Sequence, residues 1–168
     1  MRKRAIAGLL GVVLCATGVG QRPLGDLGLE AKGSGARKAA VSFLFPEQVT
    51  VAAGKPTAVE LHFQVAPGLH INSHSPSGEG MIPTTLTVPV GAPVRLVKTG
   101  FPAGAEFALP AAPGEKLSVY TGEFVVRAEL EAGAGDHLME ATLRYQACDN
   151  NACMPPKTIP VVVDVLAR

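Results

Sequence analysis

The chain has 168 residues, a formal net charge of +1 and only 17% charged residues. This length is sufficient for one domain with a sizeable core. Because the charge is nearly balanced and no basic patch stands out, nothing in the composition indicates a nucleic acid or an anionic membrane surface as a partner. We therefore expect no nucleic-acid binding.

Residues 1–20 have the three parts of a secretory signal peptide. Three basic side chains at Arg2–Arg4 precede the uncharged apolar run Ala5–Val19, and small residues follow it. The run is shorter than the ~20 residues that a membrane-spanning helix needs, although an uncleaved anchor is the alternative. We predict cleavage before Gln21, a periplasmic or otherwise exported product, and no membrane span after cleavage. Cys15 follows a leucine, whereas lipoprotein processing favours a small residue there, so we do not expect acylation.

The remaining chain divides into a leader and one domain. Residues 21–38 are rich in glycine and charge without a sustained period, which predicts a flexible leader before a domain at 39–168. Within that domain, short β-branched or aromatic runs alternate with Pro and Gly. The predicted strands are Val41–Phe45, Gln48–Ala52, Thr57–Ala66, Thr84–Val88, Val94–Lys98, Gly122–Leu130, His137–Ala147 and Thr158–Leu166.

The strand Thr57–Ala66 shows the pattern most clearly. Apolar side chains from Val59 to Val65 alternate with polar ones, so one face is buried and the other faces solvent. Many short strands separated by turn residues predict an all-β fold, an Ig-like antiparallel β-sandwich. The chain has no Trp and its cysteines are too close to bridge two sheets. We therefore expect the Ig-like architecture without the antibody-type core.

Two cysteines, Cys148 and Cys153, flank the sequence Asp-Asn-Asn-Ala. The flanking strands predict a hairpin with this sequence as its loop, because Asp and Asn tolerate the backbone conformations of tight turns. Facing positions across a hairpin bring Cα atoms to about 5.5 Å or less, within disulfide range. In an oxidising compartment we expect the pair to be bridged.

The residues leave three roles open for this pair. As a structural staple, a six-residue ring contributes only ~2 kcal/mol, against ~4.7 for a ring of about 100. A bridge on an exposed loop is accessible to an incoming thiolate, which favours redox exchange. A copper-handling site is the third possibility, but two cysteines supply only half of a tetrahedral set. The other ligands would be Met154, or His70 and His74.

Other candidate residues have simpler explanations. His70 and His74 could serve a metal or acid–base chemistry, but they lie in a segment that we predict to be a polar loop after Thr57–Ala66. Tyr145 falls on the apolar side of its strand and is predicted to be a core residue that could also line the cysteine site. The sequence shows no phosphate loop, paired carboxylates or Ser/His/Asp order. We expect no cofactor and no bound metal.

The sequence YQACDNNACMPPKT, residues 145–158, resembles the active-site hairpin of the N-terminal periplasmic domain of the thiol:disulfide interchange protein DsbD. The segments GLHINS at 68–73, IPT at 82–84 and YTGE at 120–123 are also similar to that family. The resemblance spans residues 41–168. It implies an Ig-like sandwich that takes electrons from a thioredoxin-like domain and passes them to periplasmic thiol proteins.

For individual residues, the resemblance implies that Cys148 and Cys153 are the redox pair and that Cys153 forms the mixed disulfide with the donor. Four residues separate the cysteines, one fewer than in the best-studied family form. That form shields its disulfide with an aromatic cap loop, which corresponds here to Glu115–Tyr120, with Tyr120 as its aromatic residue. The family's membrane electron carrier and C-terminal thioredoxin-like domain are expected on other chains. Exported thioredoxin-like proteins are therefore the expected donors or acceptors.

Overall fold

The computed structural model describes residues 39–78, 80–108, 114 and 116–168. The predicted signal peptide and leader, and Glu115 of the expected cap, lie outside these residues. The described part is built from strands, and none of its residues form a helix long and apolar enough to cross a membrane. The strands are β1 (Val41–Phe45), β2 (Gln48–Val51), β3 (Thr57–Val65), β4 (His70–Asn72), β5 (Thr85–Thr87), β6 (Val94–Gly100), β7 (Ala105–Ala108), β8 (Lys116–Tyr120), β9 (Glu123–Ala132), β10 (Gly135–Tyr145), β11 (Ala147–Cys148) and β12 (Lys157–Ala167).

The strands form three four-stranded sheets. The first has the order β1-β3-β9-β6, the second β2-β12-β10-β5 and the third β11-β4-β8-β7. The named pairings are antiparallel, apart from β2, which lies parallel to β12. The predicted fold class, an all-β, Ig-like antiparallel sandwich, is confirmed, with one parallel edge pairing that the sequence pattern did not indicate.

The main core lies between the first two sheets. Alternating side chains of β3 and β9 meet those of β10 and β12 in one buried cluster. Burying one Val, Leu or Phe side chain contributes about 1.5–3 kcal/mol, so this cluster dominates the stability of the domain. Its most buried large side chains include Leu61, Phe63, Leu130, Met139, Leu143 and Tyr145.

All eight predicted strands are present, with ends that differ by no more than a few residues. The largest difference between the predicted and the observed strands is the third sheet, since none of its strands was predicted as a separate element. The interpretation of the segment around His70 as a loop is wrong, since β4 is a strand with all three residues buried. A three-residue strand is too short to show a period. Its polar residues mimic a loop composition because their hydrogen bonds are made inside the protein, as for Asn72, which donates to Ile82 O at 3.0 Å.

The third sheet begins where the chain leaves the sandwich. The β10–β12 ladder ends at the pair Tyr145–Lys157. After Gln146 the chain pairs with β4 instead, with Ala147 opposite Ile71 and Cys148 opposite His70. The segment between Tyr145 and Lys157 is thus held at both ends by the ladder, and it pairs with β4.

Candidate redox site at the disulfide loop

Cys148 and Cys153 form a disulfide with a Cα–Cα distance of 3.9 Å. They face each other across an isolated antiparallel bridge. The amide of Met154 donates to Ala147 O at 2.8 Å on one side of the bridge, and the amide of Asp149 donates to Ala152 O at 3.0 Å on the other. The disulfide therefore closes a small hairpin of its own, set within the longer β10–β12 connection, rather than the mouth of the main ladder.

The turn of this hairpin is organised by Asp149. Its carboxylate accepts hydrogen bonds from the amides of Asn151 at 2.7 Å and Ala152 at 2.8 Å. This is the local side-chain-to-backbone bonding that makes Asp a turn former. These two bonds hold the pKa of Asp149 below its usual value, with a smaller contribution in the same direction from His70. The loop thus has a defined shape that does not depend on the sulfur–sulfur bond alone.

The two half-cystines differ in their accessibility. Cys148 is 1% exposed within β11, whereas Cys153 is exposed. Disulfide exchange requires a thiolate to approach one sulfur in line with the bond, so access selects the sulfur that is attacked. Cys153, which the family resemblance implies forms the mixed disulfide, is thus the more accessible of the two.

His70 occupies the position directly opposite Cys148 on the neighbouring strand. Its side chain is 2% exposed and its ring lies 4.2 Å from that of Phe107, centroid to centroid. Its Nε2 is buried and has no hydrogen-bond partner in the described part of the chain. Burial lowers the pKa of His70, and the negative charge of Asp149 acts weakly against that shift. We therefore expect a neutral imidazole at this position at pH 7.

A cleft of about 360 Å³ adjoins the disulfide loop. It extends from β3 to the Cys148–Cys153 turn, and its wall contains Gln64, Leu69, His70, Phe107, Gly122 and Asn150. Phe107 is half-buried in the wall of the cleft, and its ring lies against that of His70. Its only signal in the sequence is an aromatic side chain in a short run before a Pro-rich stretch, which is too little to predict a place at the site.

The two tyrosines proposed as site walls are core residues. Tyr120 is 4% exposed and stacks on Phe124 with a centroid distance of 4.8 Å. Its hydroxyl donates to Pro102 O at 2.9 Å and accepts from the amide of His74 at 3.1 Å. Tyr145 is 1% exposed in the sandwich core, and burial raises the pKa of both phenols. Their roles at the site stay predictions.

The two histidines considered as metal ligands have separate surroundings. His74 stacks on Phe101 with a centroid distance of 4.3 Å, and its Nδ1 donates to Thr84 O at 2.9 Å, whereas the His70 ring is tilted against that of Phe107. Among the residues that the structure describes, no group of three or more His, Cys, Asp or Glu side chains is arranged to hold a metal ion. The geometry thus gives no support to a copper site built on these two histidines.

Comparison with known proteins identifies relatives of the whole domain. The family model described as "Thiol:disulfide interchange protein DsbD, N-terminal" matches residues 40–164. The N-terminal domain of Neisseria meningitidis DsbD in the reduced form is 18% identical, with a TM-score of 0.44 over 67% of this chain and 78% of that one. The N-terminal periplasmic domain of ScsB from Proteus mirabilis is also 18% identical, with a TM-score of 0.49 over 74% of this chain. The match spans 44% of that ScsB chain. No curated protein matches the sequence.

Proposed function

Because the chain belongs to the family of DsbD N-terminal domains, we propose that it is an exported electron carrier that works through the Cys148–Cys153 disulfide. It accepts two electrons from a thioredoxin-like donor and passes them to disulfide-containing proteins of the periplasm. The observation that carries this proposal is the asymmetry of the bridge, in which one half-cystine is buried and the other is exposed.

The asymmetry defines an order of bond changes. A donor thiolate attacks Sγ of Cys153, the bond to Cys148 breaks, and its electron pair leaves on Sγ of Cys148. The donor's second thiolate then attacks the donor's first sulfur and releases Cys153 as a thiolate. The donor becomes a disulfide, and the domain becomes a dithiol after it takes up two protons. Reduction of a client protein follows the same steps in reverse.

A purely structural disulfide is the competing function. The ring that it closes is small and contributes about 2 kcal/mol in the chain-entropy model. The hairpin also keeps its backbone bonds and the two bonds to the Asp149 carboxylate, none of which involves sulfur. Most of the sandwich core lies on other strands, and the disulfide hairpin adds Ala147 to its edge. We therefore expect the loop to open chemically while the fold persists.

The aromatic shield that the family resemblance implies is provided, in this proposal, by Phe107 rather than Tyr120. Phe107 packs its ring against that of His70, which lies opposite Cys148, and shares its cleft with Asn150 of the disulfide turn. Tyr120 instead has its ring on Phe124 and its hydroxyl on Pro102. The ring thus covers the side of the bridge at Cys148 and leaves Cys153 exposed.

Mild reduction tests the proposal directly. The purified domain is treated with a low concentration of dithiothreitol, or with a reduced thioredoxin, while free thiols and the β-sheet circular dichroism signal are recorded. We expect two thiols to appear with an unchanged β-sheet signal, and thioredoxin to be oxidised in equal amount. If the thiols appear only as the β-sheet signal is lost, the disulfide is a structural staple.

A further inference from the structure

The one buried side-chain nitrogen or oxygen left without a partner in the described residues is Nε2 of His70. A buried polar atom without a hydrogen bond is unfavourable, and such atoms in folded proteins call for a specific explanation. The nearby buried polar residues all have partners. Thr84 Oγ1 donates to Asn72 O at 2.6 Å, and the hydroxyls of Ser73 and Ser118 bind each other at 2.8 Å. The unpaired atom is therefore specific to the histidine.

His70 also has a neighbour whose charge changes during the proposed reaction. Cys148 is its direct cross-strand partner, and facing side chains of an antiparallel pair project to the same side of the sheet with Cβ atoms about 4.5–5.5 Å apart. In the disulfide, Sγ of Cys148 is uncharged. When the bridge opens, this sulfur becomes a thiolate at a position that is 1% exposed. A buried anion needs a hydrogen-bond donor or a proton.

We propose that His70 is the acid–base partner of Cys148, with Nε2 as the atom that exchanges a hydrogen bond or a proton with Sγ of Cys148. This inference rests on the proposed redox function. During reduction, Nε2–H donates to the sulfur as the bond to Cys153 breaks and the electron pair moves to Cys148. During oxidation, Nε2 takes the proton from the Cys148 thiol, the thiolate attacks Sγ of Cys153 in the mixed disulfide, and the client's sulfur leaves with the electron pair.

The electrostatic surroundings of His70 agree with this role. The charged side chain that acts on it is Asp149, on the turn that follows Cys148. On the β7–β8 ribbon, Glu106 and Lys116 bind each other at 2.8 Å. Glu106 alternates with Phe107 along β7 and so lies on the face away from the histidine. The thiolate formed on Cys148 is thus the new charge to which His70 responds, and a nearby anion favours a protonated imidazole.

Oxidation of the dithiol has two steps: Cys153 forms a mixed disulfide, and Cys148 then resolves it. The proposal predicts that His70 affects only the second step. Oxidised glutathione is the probe. The first step is the attack of Cys153 on oxidised glutathione. It is measured alone in a Cys148→Ser variant, with and without His70→Phe. The second step, release of glutathione from Cys153 by Cys148, is measured by rapid mixing across pH 5–9. Phenylalanine can still stack on Phe107 but has no Nε2, and His62→Gln, at a surface histidine bound to Glu123 at 2.9 Å, is the matched control.

We expect His70→Phe to slow the second step at pH 7 by about 100-fold or more, as for loss of a general base, and to leave the first step within about twofold. His62→Gln should change neither step. Equal second-step rates and pH profiles for wild type and His70→Phe would overturn the inference. Failure of the proposed function has a different signature, in which the wild-type domain resolves glutathione but exchanges with no thioredoxin-like protein.

A measurement on the wild type tests the inference even if the His70→Phe variant does not fold. Imidazole nitrogen shifts of His70 are followed by NMR over pH in the disulfide and the dithiol forms. We expect the apparent pKa of His70 to rise on reduction, because a thiolate then lies beside it. An identical titration curve in the two forms would contradict the inference even if the variants were uninformative.

Discussion

The β10–β12 ladder and the β4–β11 pairing differ in almost every physical respect. The ladder joins eleven residue pairs and buries alternating apolar side chains, whereas β4 and β11 share only two pairs. All four buried polar residues of the described chain lie on β4 or in contact with it, namely His70, Asn72, Ser73 and Thr84. Most of the apolar core thus lies on the long strands, whereas the buried polar residues gather around the short pairing beside the disulfide. The short pairing joins the core only through a few side chains, among them Ile71 and Ala147.

The first prediction, with the largest effect, concerns the two sulfurs. A Cys148→Ser variant should accumulate a stable mixed disulfide with a thioredoxin-like protein, because the exposed Cys153 is free to react and no second sulfur releases the partner. A Cys153→Ser variant should trap almost none, since Cys148 is buried. Non-reducing electrophoresis and mass spectrometry quantify the adduct. Equal trapping by both variants would show that access does not select the sulfur.

The second prediction tests the assignment of stability to the sandwich. Phe63→Ala removes a fully buried ring from β3 and should lower the free energy of unfolding by about 3–5 kcal/mol. Opening the disulfide in the wild type should lower it by only about 2 kcal/mol. Urea denaturation of the oxidised variant and of both wild-type redox forms compares the two. A reduced wild type that is less stable than oxidised Phe63→Ala would place the main stabilisation in the disulfide loop.

The third prediction concerns the shield. Phe107→Ala removes the ring that covers His70 and lines the cleft beside the disulfide turn. Reduction by dithiothreitol should become several-fold faster, because the site loses steric cover while the fold is kept. Phe101→Ala, which removes the ring stacked on His74, is the matched control and should leave the rate unchanged. If both variants react at the wild-type rate, Phe107 is not a shield.

The smallest predicted effect is a dependence on pH at the turn. The folded-state pKa of Asp149 is lowered, chiefly by the amides of Asn151 and Ala152. Its contribution to stability is therefore present above the unfolded pKa of about 3.9 and is lost as the pH falls through the folded value. Asp149→Asn should be slightly less stable than wild type at pH 7, and the difference should shrink below about pH 4. A difference that stays constant down to pH 2 would contradict this prediction.

The sequence predicts the sandwich well because long strands carry a clear period. Apolar and polar residues alternate strictly from Val59 to Val65, and the burial of the side chains in β3 follows that alternation. The disulfide and its Asp-Asn-Asn-Ala turn were predictable for a similar reason, since local spacing and turn chemistry determine both. These features depend on neighbours in the sequence.

The third sheet was not predictable because the pairings of its strand β4, with β8 and β11, are distant in sequence. β4 has three residues, and its partner Cys148 is 78 positions beyond His70. Polar residues in such a strand look like a loop until their internal partners are known, as for Asn72 and Gln146, whose side chains bind each other at 3.2 Å. Phe107 was missed for the same reason. Its proposed role depends on the contact of its ring with that of His70, which no local pattern reports.

The last rung of the main ladder, Tyr145 opposite Lys157, has a consequence for the reduced state. This rung fixes both ends of the disulfide loop whether or not the sulfurs are joined. In addition, Gln146 Nε2 donates to Met154 O at 3.2 Å across the loop. The two thiols therefore keep a high effective concentration toward each other after reduction, because the chain between them cannot spread. We expect ring closure by Cys148 to release a partner from the mixed disulfide at Cys153 before an external thiol can attack that bond.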